Sequence, residues 1–183
     1  MHIFEERYKD LIEECLDRGG EFVIVYADDE GMRSLGTRAR VVRVIERYPD
    51  GRLDIIVQGG GRVRIERRTE GRSFLTAEVS PVGDEIDSGV APELERCLAS
   101  YRRLLAAAQV DEEQVTLEPG SAAFGLAGRV GLDAEAKQQL LELTSEKERL
   151  IRLAALFEEL AETMRRRRAI RRRASGNGRV EQL

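Results

Sequence analysis

The stretch from Leu35 to Ile65 constrains the fold of this 183-residue chain more than any other. It joins three β-rich runs through Tyr48-Pro49-Asp50-Gly51 and Gly59-Gly60-Gly61, two strong turn signals, and so predicts an antiparallel meander. In the first run Ala39 and Val41 share one parity with Arg38 and Arg40 on the other, and Val42 and Val44 then move the apolar residues across. A single face stays buried through that switch only if one residue is added, so a β-bulge is expected near Val41-Val42, in a sheet that coils strongly. Leu53, Ile55 and Val57 alternate with polar residues, as do Val63 and Ile65.

The flanking segments complete a β-rich subdomain. Phe4, Tyr8, Leu11, Ile12, Cys15 and Leu16 recur at intervals of three and four, which predicts an amphipathic helix over Ile3–Leu16, stopped by Gly19-Gly20. That spacing assigns Phe4 and Tyr8 to the core. Phe22–Tyr26 is an uninterrupted apolar run, the pattern of a central strand covered on both faces. Phe74–Val79 reads as a further strand, ended by Pro81.

Beyond it the sequence turns helical. Residues 83–91 are polar and without periodicity, and they read as a linker between a β-rich subdomain (1–82) and a helical bundle (92–164), with an arginine-rich helix extension and disordered tail at 165–183. Pro92 suits a first helical residue, in a helix reaching about Gln109. A second helix begins near Ser121 and stops at Gly131, and Asp133 can cap a third. Ser145-Glu146-Lys147-Glu148 has the form of a capping box and opens a long C-terminal helix whose apolar spacing nearly ceases after Met164. Ser175–Arg179 is expected to be disordered. The fold class is α+β.

No catalytic set can be assembled. The single histidine, His2, leaves no His/Cys cluster at zinc spacing and no well-placed histidine base. None of the three lysines, Lys9, Lys137 and Lys147, follows a glycine, so the nucleotide-binding P-loop is absent. Gly59-Gly60-Gly61 precedes a strand, where no helix N-terminus supplies an anion site, and is read as a turn. Adjacent carboxylates such as Glu13-Glu14 and Glu158-Glu159 read as solvated faces. Cys15 and Cys97 lie among apolar residues at helical spacing and read as buried reduced thiols. The expectation is a non-enzymatic protein without metal or cofactor. The apolar runs are too short to span a bilayer and no signal pattern opens the chain, so a cytoplasmic location without membrane attachment is expected.

Charge is unevenly placed. Residues 165–183 hold eight arginines and one glutamate, a net +7, which leaves −11 on residues 1–164 within the overall −4. Arg165, Arg166, Arg167, Arg168, Arg171, Arg172 and Arg173 are therefore the candidate contacts to an anionic partner. Two readings stand: binding to nucleic-acid phosphates, or a solvated helix end whose cations complement the helix dipole. No aromatic residue is interleaved for base stacking, so nucleic-acid binding would depend weakly on sequence.

His-Ile-Phe-Glu-Glu-Arg-Tyr (2–8), Gly-Thr-Arg-Ala-Arg-Val-Val-Arg-Val-Ile (36–45), Pro-Asp-Gly-Arg-Leu-Asp-Ile-Ile-Val-Gln-Gly (49–59), Leu-Thr-Ala-Glu-Val (75–79), Lys-Gln-Gln-Leu-Leu-Glu (137–142) and Glu-Arg-Leu (148–150) occur in an order that resembles the N-terminal substrate-binding domain of the ATP-dependent protease Lon. The resemblance runs to about Leu160. It implies a PUA-like β subdomain followed by a helical bundle, and a role in holding unfolded or exposed protein segments rather than cutting them. Lon continues into ATPase and Ser-Lys protease modules that this sequence does not carry, so a stand-alone relative is expected. Glu6 stands where the family commonly has proline, and Gly60 where it has a larger apolar residue. The family also has a strand before the segment matching His2–Glu5. Either the start is internal to a natural reading frame or a strand has been lost, which would leave a sheet edge open to strand addition.

Overall fold

The structure, a computed structural model, describes residues 1–111, 115–118 and 120–176, the last five of these as backbone only. It divides into two compact units, Met1–Gly83 and Asp84–Leu183.

The first unit is a five-stranded antiparallel sheet with one helix. Its strands are β1 (His2–Ile3), β2 (Phe22–Asp28), β3 (Gly31–Arg47), β4 (Leu53–Thr69) and β5 (Thr76–Val82), and its helix is α1 (Glu6–Arg18). The order is β1-β4-β3-β2, with β5 also pairing with β4. Two 17-residue strands thus form the centre, joined at Tyr48–Arg52 by a turn in which Gly51 takes φ +83° and donates its N–H to the Tyr48 carbonyl.

Val41 pairs with Val57 and Arg43 with Ile56, so Val42 is the extra residue of the expected bulge. A second follows at once: Val44 faces Ile55 and Glu46 faces Asp54, which leaves Ile45 unpaired. The glycine run behaves differently from a turn. Thr37 faces Arg62 and Ala39 faces Gly59, so Gly60 and Gly61 together oppose Arg38 and make a bulge inside one continuous strand. Without side chains the run absorbs an extra residue while the ladder continues, so the sequence's third run is the far half of β4.

Three other expectations are corrected. β2 lies at the sheet edge rather than its centre, because it pairs only with β3, and Ile24 is exposed. Pro81 lies within β5 opposite Val63, a position open to proline because β5 is an edge strand and a missing N–H costs no ladder bond there. Ile3 belongs to β1, paired with Leu53, so α1 starts only at Glu6. The inner face of the sheet buries Ile3, Ile12, Cys15, Phe22, Ala39, Leu53 and Ile55, with α1 supplying Ile12 and Cys15.

The second unit contains α2 (Ala91–Ala108), α3 (Ala122–Ala127), α4 (Ala134–Glu142) and α5 (Glu146–Gly176). Gln109 ends α2 in the left-handed conformation, Asp133 caps α4 by accepting from Ala136 N at 2.7 Å, and Ser145 Oγ accepts from Glu148 N at 3.1 Å. α3 ends at Ala127, before the expected Gly131. The core gathers Cys97, Tyr101, Leu104, Leu126, Leu140, Leu150, Leu153 and Phe157, with the Tyr101 and Phe157 rings 5.4 Å apart. Of the segment expected to be disordered, Ser175 and Gly176 belong to α5 and 177–179 lie outside the described residues.

One charged side chain sits at the heart of this unit. Arg149 is 0% exposed and donates to Glu146 Oε2 (3.0 Å), Asp84 Oδ1 (2.7 Å) and the Leu143 carbonyl (2.9 Å), while its guanidinium lies 4.5 Å from the Phe124 ring centre. Glu146, also buried, accepts from Ala123 N at 2.9 Å. Residues 84–87 are held to the same centre: Glu85 binds Thr144 and Asp87 binds Ser145 and the Lys147 N–H. Hydrogen bonds from these donors hold the Asp87 carboxyl below the usual carboxylate range, the Lys147 N–H foremost.

Two substitutions test these constraints. A Cβ at Gly36 would lie 2.6 Å from the Ile24 carbonyl oxygen, so Gly36→Ala should destabilise the chain by about 1–3 kcal/mol, the usual cost of overpacking, read as a lower urea midpoint. Arg149→Leu leaves Glu146 buried without its cation and should cost about 3–5 kcal/mol in the same measurement.

Candidate functional site

The outer face of the sheet carries what the inner face does not need. On β4, Leu53, Ile55 and Val57 point inward, so Asp54, Ile56 and Gln58 occupy the other side. Their partners on β3 are Glu46, Arg43 and Arg40, and the Arg40–Gln58 side-chain hydrogen bond at 2.7 Å marks the shared face. The two bulges add an apolar residue each to this region: Val42 is 48% exposed and Ile45 59%. At a bulge two successive residues oppose one, so the alternation that would have buried every second apolar side chain is broken.

The same face is edged by a polar and aromatic cluster. His2, paired with Asp54, hydrogen-bonds Asp54 Oδ1 through Nδ1 at 2.8 Å, and the Tyr48 hydroxyl donates to Asp54 Oδ2 at 2.8 Å. The His2 ring stacks with Phe4 (centroids 6.1 Å) and meets Tyr48 edge-on (5.9 Å), while the Arg52 guanidinium covers the Tyr48 ring at 5.0 Å. Phe4 is 62% exposed and Tyr8 also lies open, so the assignment of both to the core is corrected: the chain between β1 and α1 turns Phe4 outward. Val42, Ile45 and Ile56 are therefore exposed apolar residues of the sheet, with Arg43 and Glu46 among them, and Phe4, just past β1, adds an exposed ring stacked on His2. The parity switch at Val41-Val42 was the available signal for the bulged residues. Phe4 gave no separate signal, because its spacing fitted the helix that follows.

The arginines singled out in the sequence lie on α5 past Ala161, the last buried residue among its described side chains. Arg165 and Arg166 both reach Glu162, at 3.9 and 2.9 Å. Arg167 and Arg171 are exposed and Arg168 is half-buried. Arg172 and Arg173 belong to the helix, and their side chains lie outside the described residues. A surface groove of about 660 Å³ runs between α4 and α5, lined by Leu143, Ile151 and Ala155 beside Glu142 and Glu148, with Arg152 tied to Gln139 at 2.9 Å.

Cys15 and Cys97 are both free and buried, as expected, and burial pushes the Cys97 thiol up to about 12. That disfavours the thiolate and leaves the group unreactive at neutral pH. Among the described residues no three His, Cys, Asp or Glu side chains stand together as metal ligands.

The Tyr48–Asp54 pair gives a titration test. The Asp54 hydrogen bond, with burial and the Asp54 charge behind it, pushes the Tyr48 phenol up to about 12 from its ordinary value near 10. The His2 and Tyr48 hydrogen bonds hold the Asp54 carboxyl below its usual range. A raised phenol contributes stability that is complete below about pH 10 and is lost as the pH climbs toward 12. The lowered carboxyl contributes above about pH 4 and its share is lost as the pH falls through that range. Ultraviolet titration should show late ionisation of Tyr48, seen as the change between the native protein and Asp54→Asn, in which the phenol moves back toward pH 10.

Known proteins fit this arrangement. The model of the substrate-binding domain of ATP-dependent protease La (Lon) matches residues 1–159. Lon protease 2 of Herpetosiphon aurantiacus is 32% identical over 140 residues, 72% of this chain and 17% of that protein. Lon protease of Azospirillum brasilense is 28% identical over 68% of this chain and 16% of its own length, so the chain spans about a sixth of these relatives. Among solved structures, a Lon N-terminal domain protein from Xanthomonas campestris superposes with a TM-score of 0.62 at 26% identity, over 85% of this chain and 86% of that one. The N-terminal domain of Mycobacterium avium complex Lon protease gives 0.64 at 22% identity over 87% and 90%, a likeness of fold. With a family model spanning both units and structures that share their architecture, the chain belongs to the Lon substrate-binding domain family.

Proposed function

We propose that the chain is a non-catalytic recognition module that holds exposed apolar segments of substrate proteins on the outer face of its β sheet. Family membership supports substrate binding. The observation that carries the location is the exposure of Val42, Ile45 and Ile56 on the sheet, where two bulges turn residues outward, together with that of Phe4 just past β1. Isolated exposed apolar residues are ordinary on a protein surface, whereas several on neighbouring strands beside polar groups suit a protein partner. Phe4 offers a large ring with few rotatable bonds, and Tyr48 and His2 supply hydrogen-bonding edges beside it.

In this reading any cleavage of the bound segment is performed by modules of the kind found in full-length Lon, and the cytoplasm is its setting. No helix among the described residues is long and apolar enough to cross a membrane.

Binding of a reduced, carboxymethylated model protein tests the reading. Replacing Phe4, Val42 and Ile45 together by serine should weaken binding at least tenfold, equivalent to about 1.4 kcal/mol, with the circular dichroism spectrum unchanged. Undiminished binding by this variant would remove the sheet face from the function.

A further inference from the structure

We infer that the groove between α4 and α5 docks an amphipathic helix of a partner protein, one whose apolar stripe is bordered by lysine or arginine. The groove belongs to the helical unit, so the inference stands apart from the reading of the sheet face.

The floor of the groove is apolar and its rim is acidic. Leu143, Ile151 and Ala155 line about 660 Å³ of open space, and Ile151 is 48% exposed on a helix whose Leu150 and Leu153 are fully buried in the core. Glu142 stands on one wall and Glu148 on the other. Glu142 accepts from the neutral Gln138 amide at 2.8 Å, which leaves its charge in place. The cations near the rim are engaged with other groups: Lys147 with Glu93 at 3.3 Å, Arg149 with Asp84 and Glu146, and Arg152 with Gln139 and Glu159. Residues 84–164 as a whole hold 17 carboxylates against eight lysines and arginines, a net −9, so the field around the groove favours a cationic partner and opposes an acidic one.

The walls decide the form of that partner. They are helices and present no strand edge, so an extended segment laid between them would leave backbone N–H and C=O groups unpaired against apolar side chains. A helix bonds those groups internally and offers only its side chains. Glu148 and Ala155 lie seven positions apart, about 10 Å along α5 at ~1.5 Å per residue, a length that receives apolar anchors one to two helical turns apart. Basic residues beside those anchors then reach Glu142 and Glu148.

Fluorescence anisotropy of the full chain with a labelled peptide of about 14 leucine and lysine residues, the leucines at intervals of three and four, tests the inference. The peptide should bind at about 50 mM salt and more weakly as salt rises. Ile151→Ser should weaken binding about tenfold through the lost apolar contact. Glu142→Gln combined with Glu148→Gln should weaken it roughly fivefold and flatten the salt dependence. Circular dichroism of both variants should match that of the native chain, since all three side chains are exposed. Binding that Ile151→Ser leaves unchanged overturns the inference, as does equal affinity for a peptide in which glutamate replaces lysine. Equal affinity for a peptide of the same composition with leucine and lysine alternating would overturn it in favour of an extended segment. A dimer seen by sedimentation and dissociated by Ile151→Ser would overturn it in favour of a second copy of this chain.

Discussion

Burial of Arg149 is the interaction on which the helical unit depends. Removing a guanidinium from water costs several kcal/mol, and only close partners on most sides offset it. Here those partners come from four separate pieces of chain: Asp84 from the segment entering the unit, Leu143 from the end of α4, Phe124 from α3, and Glu146 from the first turn of α5. Glu146 passes the constraint on by holding the Ala123 N–H at the start of α3. A core of leucines alone tolerates small shifts between helices. An arginine that must keep three acceptors ties the end of α4 and the start of α5 to the segment entering the unit and, through Glu146, to the start of α3.

The β unit is ordered by a different constraint, the number of residues between paired positions. Each extra residue on β3 or β4 bends the strand and raises its twist, which lets two 17-residue strands curl around Ile12, Leu53 and Ile55. The apolar residues displaced by this counting become the outer surface. Scaffold and candidate contact surface thus share one cause, because a sheet that coils by bulging β3 must set Val42 and Ile45 outside its regular alternation.

Legibility in the sequence followed the physics of each signal. The bulge at Val42 was readable because alternation with period two makes a single added residue visible. The caps at Asp133 and Ser145 were readable because their side-chain chemistry is local. Gly59-Gly60-Gly61 was misread because glycine marks both a turn and a bulge, and only the pairing of Arg38 across the ladder separates them. The position of Phe22–Tyr26 at an edge depended on which strands pair, which apolar content does not encode. Among candidate site residues, the arginines announced themselves by density, while the His2–Asp54–Tyr48 cluster needs the β1–β4 pairing to bring His2 to Asp54, 52 positions away, and that pairing has no local signature.

The continuation of α5 past Ala161 also governs how its charges are felt. At physiological ionic strength the field of an exposed charge decays over about 8 Å, whereas Arg173 lies roughly 18 Å along the helix axis from Ala161. The carboxylates of the helical core, numerous as they are, are screened from the far end of the rod. An anion approaching Arg167 or Arg171 meets their charge before it meets repulsion from the carboxylates of the helical core.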